Sequence, residues 1–274
     1  MTANDSSSDW INKRTWKTKR ALRTYGTAEG FTDPGEEMAF NRVRADARRG
    51  RTLDIGVGGG RTTRIVLGES RDYIGIDYTA ELIDICREKF PGVDFECADA
   101  RDLSRFESES FDLVQFSFNG ICSIDGDGRH SVFREVFRVL RPGGAFLFST
   151  FFLVDQRGKP AELTLRKISL SANPVHSALS LAKYVAGTAI GLWRRVHFRK
   201  LEKFDGESAV FLHGAHDYGF LCHATTLPAL RSDLSGHGYA APVALISQSG
   251  KVVSENEKTE GDYCHVIARK PAST

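Results

Sequence analysis

The chain has 274 residues, 41% of them hydrophobic, which suits one globular domain with a sizeable insertion better than two full domains. A net charge of +2 excludes the global positive field that would draw nucleic acid. The five cysteines (Cys86, Cys97, Cys122, Cys222 and Cys264) are scattered and odd in number, with no CxxC. That fits a reducing compartment and argues against a disulfide framework or a zinc knuckle.

Residues 1–9 are rich in Ser, Asp and Asn and are expected to be disordered. They lack the apolar core of a signal peptide, so the expected location is cytoplasmic. Residues 10–23 read as a helix, with Trp10, Trp16 and Leu22 set among Lys and Arg. Such a helix either packs on the domain with a solvated basic face, or closes over an active site with Tyr25 reaching a ligand. Asp33-Pro34-Gly35-Glu36 is a helix start: an acidic N-cap, proline at the first helical position and glutamate at the third. This helix runs to about Arg49 and stops at Gly50.

Residues 51–77 organise the rest of the chain. Thr52-Leu53-Asp54-Ile55 is too short for a helix and runs into glycines, so it reads as a buried strand. Gly56-Val57-Gly58-Gly59-Gly60 lets the backbone turn sharply and lets a ligand approach the main chain. Residues 61–67 begin a helix whose free N–H groups point back at the loop. Ile74-Gly75-Ile76-Asp77 is a second apolar strand ending on a carboxylate. Together they form a nucleotide-type binding unit, with Asp77 placed to bond ribose hydroxyls. An ordinary tight turn, or a nicotinamide or flavin site, is the competing reading. Asp54, two residues before the first glycine, would repel a pyrophosphate but would hold a ligand with an amino group and a cationic centre.

Leu53-Asp54-Ile55-Gly56-Val57-Gly58-Gly59-Gly60 resembles the first motif of the class I S-adenosylmethionine-dependent methyltransferases, of the type 11/25-like kind. The resemblance implies S-adenosylmethionine as cofactor and a seven-stranded Rossmann-like sheet whose last strand is antiparallel. The βα alternation over residues 51–151 independently calls for a parallel, doubly wound α/β sheet. In the family's pattern, Asp54, Gly56, Gly58 and Gly60 hold the methionine end, Asp77 and Tyr78 the ribose, and Asp99 with Ala100 the adenine. Asp99 reads equally as the N-cap of a short helix. Phe116 and Ser117, at the carboxyl end of a fourth strand over 111–116, fall in the crevice where ligands bind in such sheets. The Asn/Asp-Pro-Pro-aromatic tetrad of many nucleic-acid amino-methyltransferases is missing there, which lowers the case for base methylation. An amphipathic helix over 131–140, Arg141-Pro142-Gly143-Gly144 and a strand over 145–151 again follow the family's pattern.

Residues 155–206 break the alternation, with a short helix expected over 161–171 and a longer, mostly apolar one over 176–193. Between 161 and 203 there are eight Lys or Arg against two Glu. The apolar run carries Lys183 and is short for a membrane span. Two readings stay open: a helical lid over the substrate pocket, or a patch that touches a membrane surface or a lipid-like or anionic substrate. Gly187 and Gly191 form a GxxxG that carries little meaning outside a membrane span.

The back end should supply a strand over 206–212, a polar turn at 213–218, a helix over 226–235 and a closing antiparallel pair, 241–247 with 263–269. The runs Phe116-Ser117-Phe118-Asn119-Gly120-Ile121 and Gly214-Ala215-His216-Asp217-Tyr218 are similar to those of an uncharacterised bacterial subgroup of these enzymes. His213, His216, Cys222 and His223 have no ligand spacing that suits a metal, and none is expected. His216 beside Asp217 is the candidate general base, with Asn119 as a second catalytic candidate; a histidine that only satisfies backbone groups is the alternative. Tyr25, Phe118, Asn119, His213, His216 and Tyr218 are expected on the acceptor side. The chain thus divides into a helical N-terminal cap (1–50), a cofactor-binding core (51–154), a helical insertion (155–206) and the C-terminal part of the core (207–274). The expected activity is methyl transfer to a small molecule, with oxygen favoured and no nucleic-acid partner. RNA or protein methylation, or cofactor binding without turnover, are the rival functions. The oligomeric state is not legible.

Overall fold

The structure, a computed structural model, describes residues 7–153, 173–253 and 263–273. The helix expected over 161–171, residues 1–6, and most of the 249–261 loop lie outside these residues.

The sheet forms where apolar residues run in short stretches bounded by glycine or acid. Strands β1 (Arg51–Ile55), β2 (Asp72–Asp77), β3 (Asp94–Cys97), β4 (Phe111–Phe116) and β5 (Leu140–Phe152) are mutually parallel in the order β3-β2-β1-β4-β5. On the far edge of β5 lies β10 (Tyr263–Arg269), antiparallel both to β5 and to β9 (Ala240–Ser247). This is the expected doubly wound frame of seven strands with an antiparallel last strand.

Three further strands extend the sheet, one of them expected over 206–212 and the other two not legible in the sequence. Strand β5 is thirteen residues long, and β4 pairs with it only as far as Phe148. β10 occupies the other edge up to Phe151, so the edge vacated by β4 is open beyond that point. β8 (Phe220–Thr225) takes it, pairing Phe151 with Ala224 and Phe152 with Thr225. β7 (Ser208–His213) and the two-residue β6 (Lys203–Phe204) continue antiparallel from β8. A strand with an unpaired edge is a template, and here the back end of the chain uses it to build a wall beyond the carboxyl end of β4.

The helices of the N-terminal half are α1 (Ser7–Trp16), α2 (Lys19–Gly26), α3 (Pro34–Arg49), α4 (Thr63–Leu67) and α5 (Ala80–Lys89). Then follow α6 (Gly126–Val139), α7 (Pro174–Phe198), the single turn α8 (Ala215–Tyr218) and α9 (Leu227–Gly236). The helix expected over 10–23 is broken in two at Thr18. Its hydroxyl bonds back to Thr15 O at 2.8 Å and caps Ala21 N, an N-cap that the basic sequence hid. Helix α6 starts five residues earlier than expected, because Asp125 accepts from Gly128 N at 2.9 Å and initiates it through a glycine-rich turn.

Alternation along β5 fills both faces of the sheet. Phe146 and Phe148 stack 4.6 Å apart toward α6 and α9, while Ala145 and Leu147 face α3 and its neighbours. Helix α3 is tied to β10 through its N-cap. Asp33 Oδ1 accepts from Glu36 N at 2.8 Å and pairs with His265 Nε2 at 2.9 Å, while Tyr263 donates its hydroxyl to Oδ2. Burial would raise the Asp33 carboxyl, but the His265 and Tyr263 bonds outweigh it and bring it down to about 2.

Asp33→Ala should lower stability by about 1–2 kcal/mol, the usual cost of an N-cap, read from the midpoint of urea unfolding. A lowered folded-state pKa gives stability that is complete above the unfolded value near 3.8 and is lost as pH falls through about 2. The gap between wild type and variant should therefore close on acidification over that range.

Candidate cofactor and acceptor site

The glycine loop leaves β1 at the point where strand order reverses, with β2 on one side and β4 on the other. Gly56, Gly58 and Gly60 all have positive φ (63°, 58° and 80°), a conformation that a side chain would strain. Space is the second constraint. A Cβ on Gly59 would lie 2.4 Å from Gly26 Cα and 2.6 Å from Tyr25 O, so the loop and the end of α2 touch backbone to backbone. The Phe116 ring fills the space that a Cβ on either Gly56 or Gly120 would need.

Two carboxylates frame the loop. Asp77, at the end of β2, accepts from Gly58 N at 3.1 Å and from Thr79 N at 2.8 Å, and it lines the cavity above the loop. Burial raises its carboxyl, and those two bonds offset part of the rise. Asp54 lies beneath the loop and does not line the cavity. Tyr73 donates to its Oδ2 at 2.9 Å, and the Thr63 hydroxyl stands 2.9 Å from the Tyr73 oxygen. Asp54 Oδ1 is buried with no hydrogen-bond partner. Burial pushes the Asp54 carboxyl up to about 6, against the pull of Gln115, Tyr73 and the Arg61 charge.

The remaining sites expected from the sequence fall in two groups. Tyr78, Asp99, Ala100, Phe116 and Ser117 all line the same cavity, and so do Tyr25 and Phe118. Asp99 is fully engaged: Arg101 reaches both its oxygens, and although burial raises the Asp99 carboxyl, Arg101 holds it below its ordinary value. Arg101 also bonds Asp9 at 2.8 Å, which fastens α1 over the Asp99 end of the cavity. His213, His216, Tyr218 and Asn119 do not line the cavity. His216 stacks behind Tyr25 at 5.4 Å, and its pKa is brought down to about 4 by burial and by the Arg20 charge. Tyr218 is turned into a separate apolar cluster with Ile11, Leu212 and Leu221. His213 accepts from Ala215 N at 3.2 Å. Asn119 lies next to the cavity-lining Phe118 and Gly120, and its Oδ1 is buried without a partner.

Sequence reading missed Arg61. Its guanidinium makes a bidentate pair with Glu36, donates to Gly30 O at 2.8 Å and to Ser117 Oγ at 3.1 Å, and lies 5.2 Å from the Phe118 ring. It joins α3, the loop and the end of β4. The only hint in the sequence was a cation directly after the glycines, where a helix N-terminus would disfavour one. Among the described residues, no group of three His, Cys, Asp or Glu is placed to hold a metal.

The residues fit S-adenosylmethionine. A strained glycine loop gives it backbone access, Asp77 offers a ribose partner, and the orphaned Asp54 oxygen beneath the loop leaves a negative charge that a cationic amino-acid end above it would offset. Fold and site thus define a Rossmann-like domain of the S-adenosylmethionine-binding class. Residues 52–144 match the family described as "Methyltransferase domain". An uncharacterized methyltransferase of Schizosaccharomyces pombe is 31% identical over 132 residues, 48% of this chain and 50% of that protein. A fatty-acid O-methyltransferase of Mycolicibacterium smegmatis is 35% identical over 112 residues, 39% of each chain. Each match thus spans half or less of the relative's length. The 1,6-didemethyltoxoflavin-N1-methyltransferase of Burkholderia thailandensis, solved with 1,6-didemethyltoxoflavin and S-adenosylhomocysteine, shares the fold. Its TM-score is 0.57 at 14% identity, covering 99% of this chain and 93% of that one. Residues 52–144 thus match a methyltransferase domain, and S-adenosylmethionine is the cofactor that the site fits.

Asp54→Asn should weaken S-adenosylhomocysteine binding about tenfold or more (~1.4 kcal/mol) in calorimetric titration. An acid whose pKa is raised by folding costs stability above its folded value, so the same variant should hold or gain stability at neutral pH, by roughly 1–3 kcal/mol. A cationic ligand favours the ionised carboxylate, so wild-type affinity should be full above about pH 6 and fall as pH drops through it. Gly59→Ala should separate α2 from the loop, lowering both the melting temperature and the affinity.

Proposed function

We propose that the chain transfers the methyl group of S-adenosylmethionine to a small-molecule acceptor with an apolar body, with oxygen favoured over nitrogen or carbon. The observation that carries this reading is the acceptor side of the cavity. Trp16, Tyr25 and Phe118 line it, with Tyr25 4.6 Å from Trp16 and 6.3 Å from Phe118, and α1 and α2 contribute two of the three rings. An aromatic, roofed chamber suits a small apolar body better than a nucleic-acid strand. The fatty-acid O-methyltransferase among its relatives supports an apolar acceptor methylated on oxygen.

Bound S-adenosylmethionine supplies an electrophilic methyl group, and in-line alignment of the acceptor is the main demand on the protein. Trp16, Tyr25 and Phe118 exclude water and fix the acceptor's plane. Burial raises the Tyr25 phenol, so its hydroxyl stays protonated and acts as a neutral hydrogen-bonding group. His216 is neutral at physiological pH but, with a pKa of about 4, is a weak base, and it sits behind Tyr25. Asn119 Oδ1 is buried and unpaired next to the cavity-lining Phe118 and Gly120, and as an amide oxygen it can accept a hydrogen bond but cannot take a substrate proton. The reading therefore favours alignment over general-base catalysis.

Purified protein should bind S-adenosylhomocysteine and, supplied with S-adenosylmethionine and a pool of fatty acids and small hydroxylated aromatics, release S-adenosylhomocysteine. Binding without product from any acceptor would leave a non-catalytic cofactor-binding protein. With an acceptor found, His216→Ala should keep turnover within about threefold, whereas Asn119→Ala should lower it about tenfold or more. The reverse order would restore His216 as the base.

A further inference from the structure

Helix α7 is built the wrong way round for a helix of a globular domain. Along most of its length the residues that touch the protein are small or polar: Gly187 and Gly191 are buried, and Ser177, Ser180 and Thr188 are half-buried, with Tyr184 also half-buried and Phe198 packed on the Ile11, Leu212, Tyr218 and Leu221 cluster at its end. A Cβ on Gly191 would meet Tyr218 and Asp217 at 3.5–3.7 Å, so the helix lies against the turn at 215–218 there. The large apolar residues look outward: Leu179, Leu181, Val185, Ile190, Trp193 and Val196 are 47–74% exposed. An amphipathic helix of a soluble protein shows the opposite arrangement, and an exposed apolar face this long marks a binding surface.

The charges are arranged to match. Between Pro174 and Leu201 there is no acid, while Lys183, Arg194, Arg195, Arg199 and Lys200 are basic. At about 100° per residue, the outward apolar residues cover roughly half the circumference. Lys183 and Arg194 fall on one border of that arc, and Arg195 and Arg199 on the other. Arg194 donates to His216 O at 3.0 Å and Arg195 lies 5.7 Å over the Tyr218 ring, so the exposed Lys183, Arg199 and Lys200 are the long cations that can extend their charged ends to a surface while the arc sinks into it. The patch continues onto α1, where Trp10 is 53% exposed and Arg14 lies 5.5 Å over its ring. Between the two helices runs an apolar groove of about 540 Å³, lined by Trp10, Ile11, Ile190 and Trp193 among others. Among the described residues no helix is long and apolar enough to cross a membrane, so the surface can lie on a bilayer without spanning it.

From the outward apolar arc and its basic borders we infer that α7, with the adjoining end of α1, docks this protein on the surface of a bilayer that carries anionic lipid. Helix α1 faces the groove with Trp10 and Ile11 and the reaction cavity with Asp9, Lys13 and Trp16. Docking therefore brings the roof of the cavity against the membrane, where an apolar acceptor dissolves. The inference goes beyond the proposed methyl transfer, and its test is read without turnover.

The test is co-sedimentation of the full chain with phosphatidylcholine vesicles and with vesicles carrying about one third phosphatidylglycerol, at low and at physiological salt. Wild type should pellet with the anionic vesicles, weakly with the neutral ones, and less as salt rises. The triple variant Leu181→Glu/Val185→Glu/Val196→Glu and the double variant Arg199→Glu/Lys200→Glu should each bind at least about tenfold more weakly. Because all five side chains are exposed, both variants should keep the wild-type melting temperature and S-adenosylhomocysteine affinity, which separates docking from folding and from the cofactor site. No binding to anionic vesicles at low salt would overturn the inference, as would undiminished binding by the triple variant. A dimeric mass by light scattering that the triple variant converts to monomer would also overturn it, in favour of a second copy of this chain as the occupant.

Discussion

A carboxylate sealed under a glycine loop is the constraint on which the site depends. Asp54 is buried with one bonded oxygen, and its neighbours are arranged around that deficit. Tyr73 spends its only proton on Asp54 and takes its own support from Thr63. Arg61 brings a positive charge near, but Glu36 already claims it in a bidentate pair, so the carboxyl stays well above its ordinary range. A protein selected for stability alone would place an amide or an apolar residue there. Holding an under-compensated charge makes sense where a cationic ligand completes it, and functional sites store this kind of cost.

The opposite wall is held by different forces. Helix α1 rests on β8 through Asn12, whose side-chain amide donates to Ser123 O and Leu221 O and whose oxygen accepts from Leu221 N. Thr15 donates to Gly219 O, and Arg20 pairs with Asp217. These links hold the N-terminal helices to a segment two hundred residues away, and they are polar and individually modest. Five of the six non-glycine residues with positive φ among those described fall in just two places, Phe118-Asn119 and His216-Asp217-Tyr218. The first ends β4 at the cavity, and the second supports Tyr25 from behind. Backbone strain is thus concentrated around the aromatic side of the cavity and is almost absent elsewhere in the described chain.

The parts of the molecule that were legible in the sequence are those governed by local chemistry. The Asp33-Pro34 start gave α3 its true first residue, and the glycine loop, Asp77 and the β4 boundaries follow from runs of a few residues. What escaped depends on contacts between distant segments. Nothing in residues 203–225 announces that they pair with the overhanging end of β5, because the vacancy on that edge is created by where β4 stops. Arg61 carried no expected role, because its partner Glu36 lies twenty-five residues earlier in the chain. His216 looked like a base because of its neighbour Asp217. In the fold, Asp217 turns to Arg20 and the imidazole sits behind Tyr25, where burial makes it a poor proton acceptor.

Helix α7 was the hardest to read because composition alone does not say which way a helix faces. A mostly apolar run with cations at its end describes a lid that buries its apolar side as well as one that presents it. The discriminating signal was the small residues, whose GxxxG spacing carries weight only once a partner backbone is known. Gly191 sits against Asp217 and Tyr218, so the small face is the attached face, and the apolar residues on the remaining arc are left outward. The left-handed turn at 216–218 therefore supports Tyr25 on one side and seats α7 on the other. The same three strained residues fix how the acceptor chamber is roofed and which way the basic, apolar helix points.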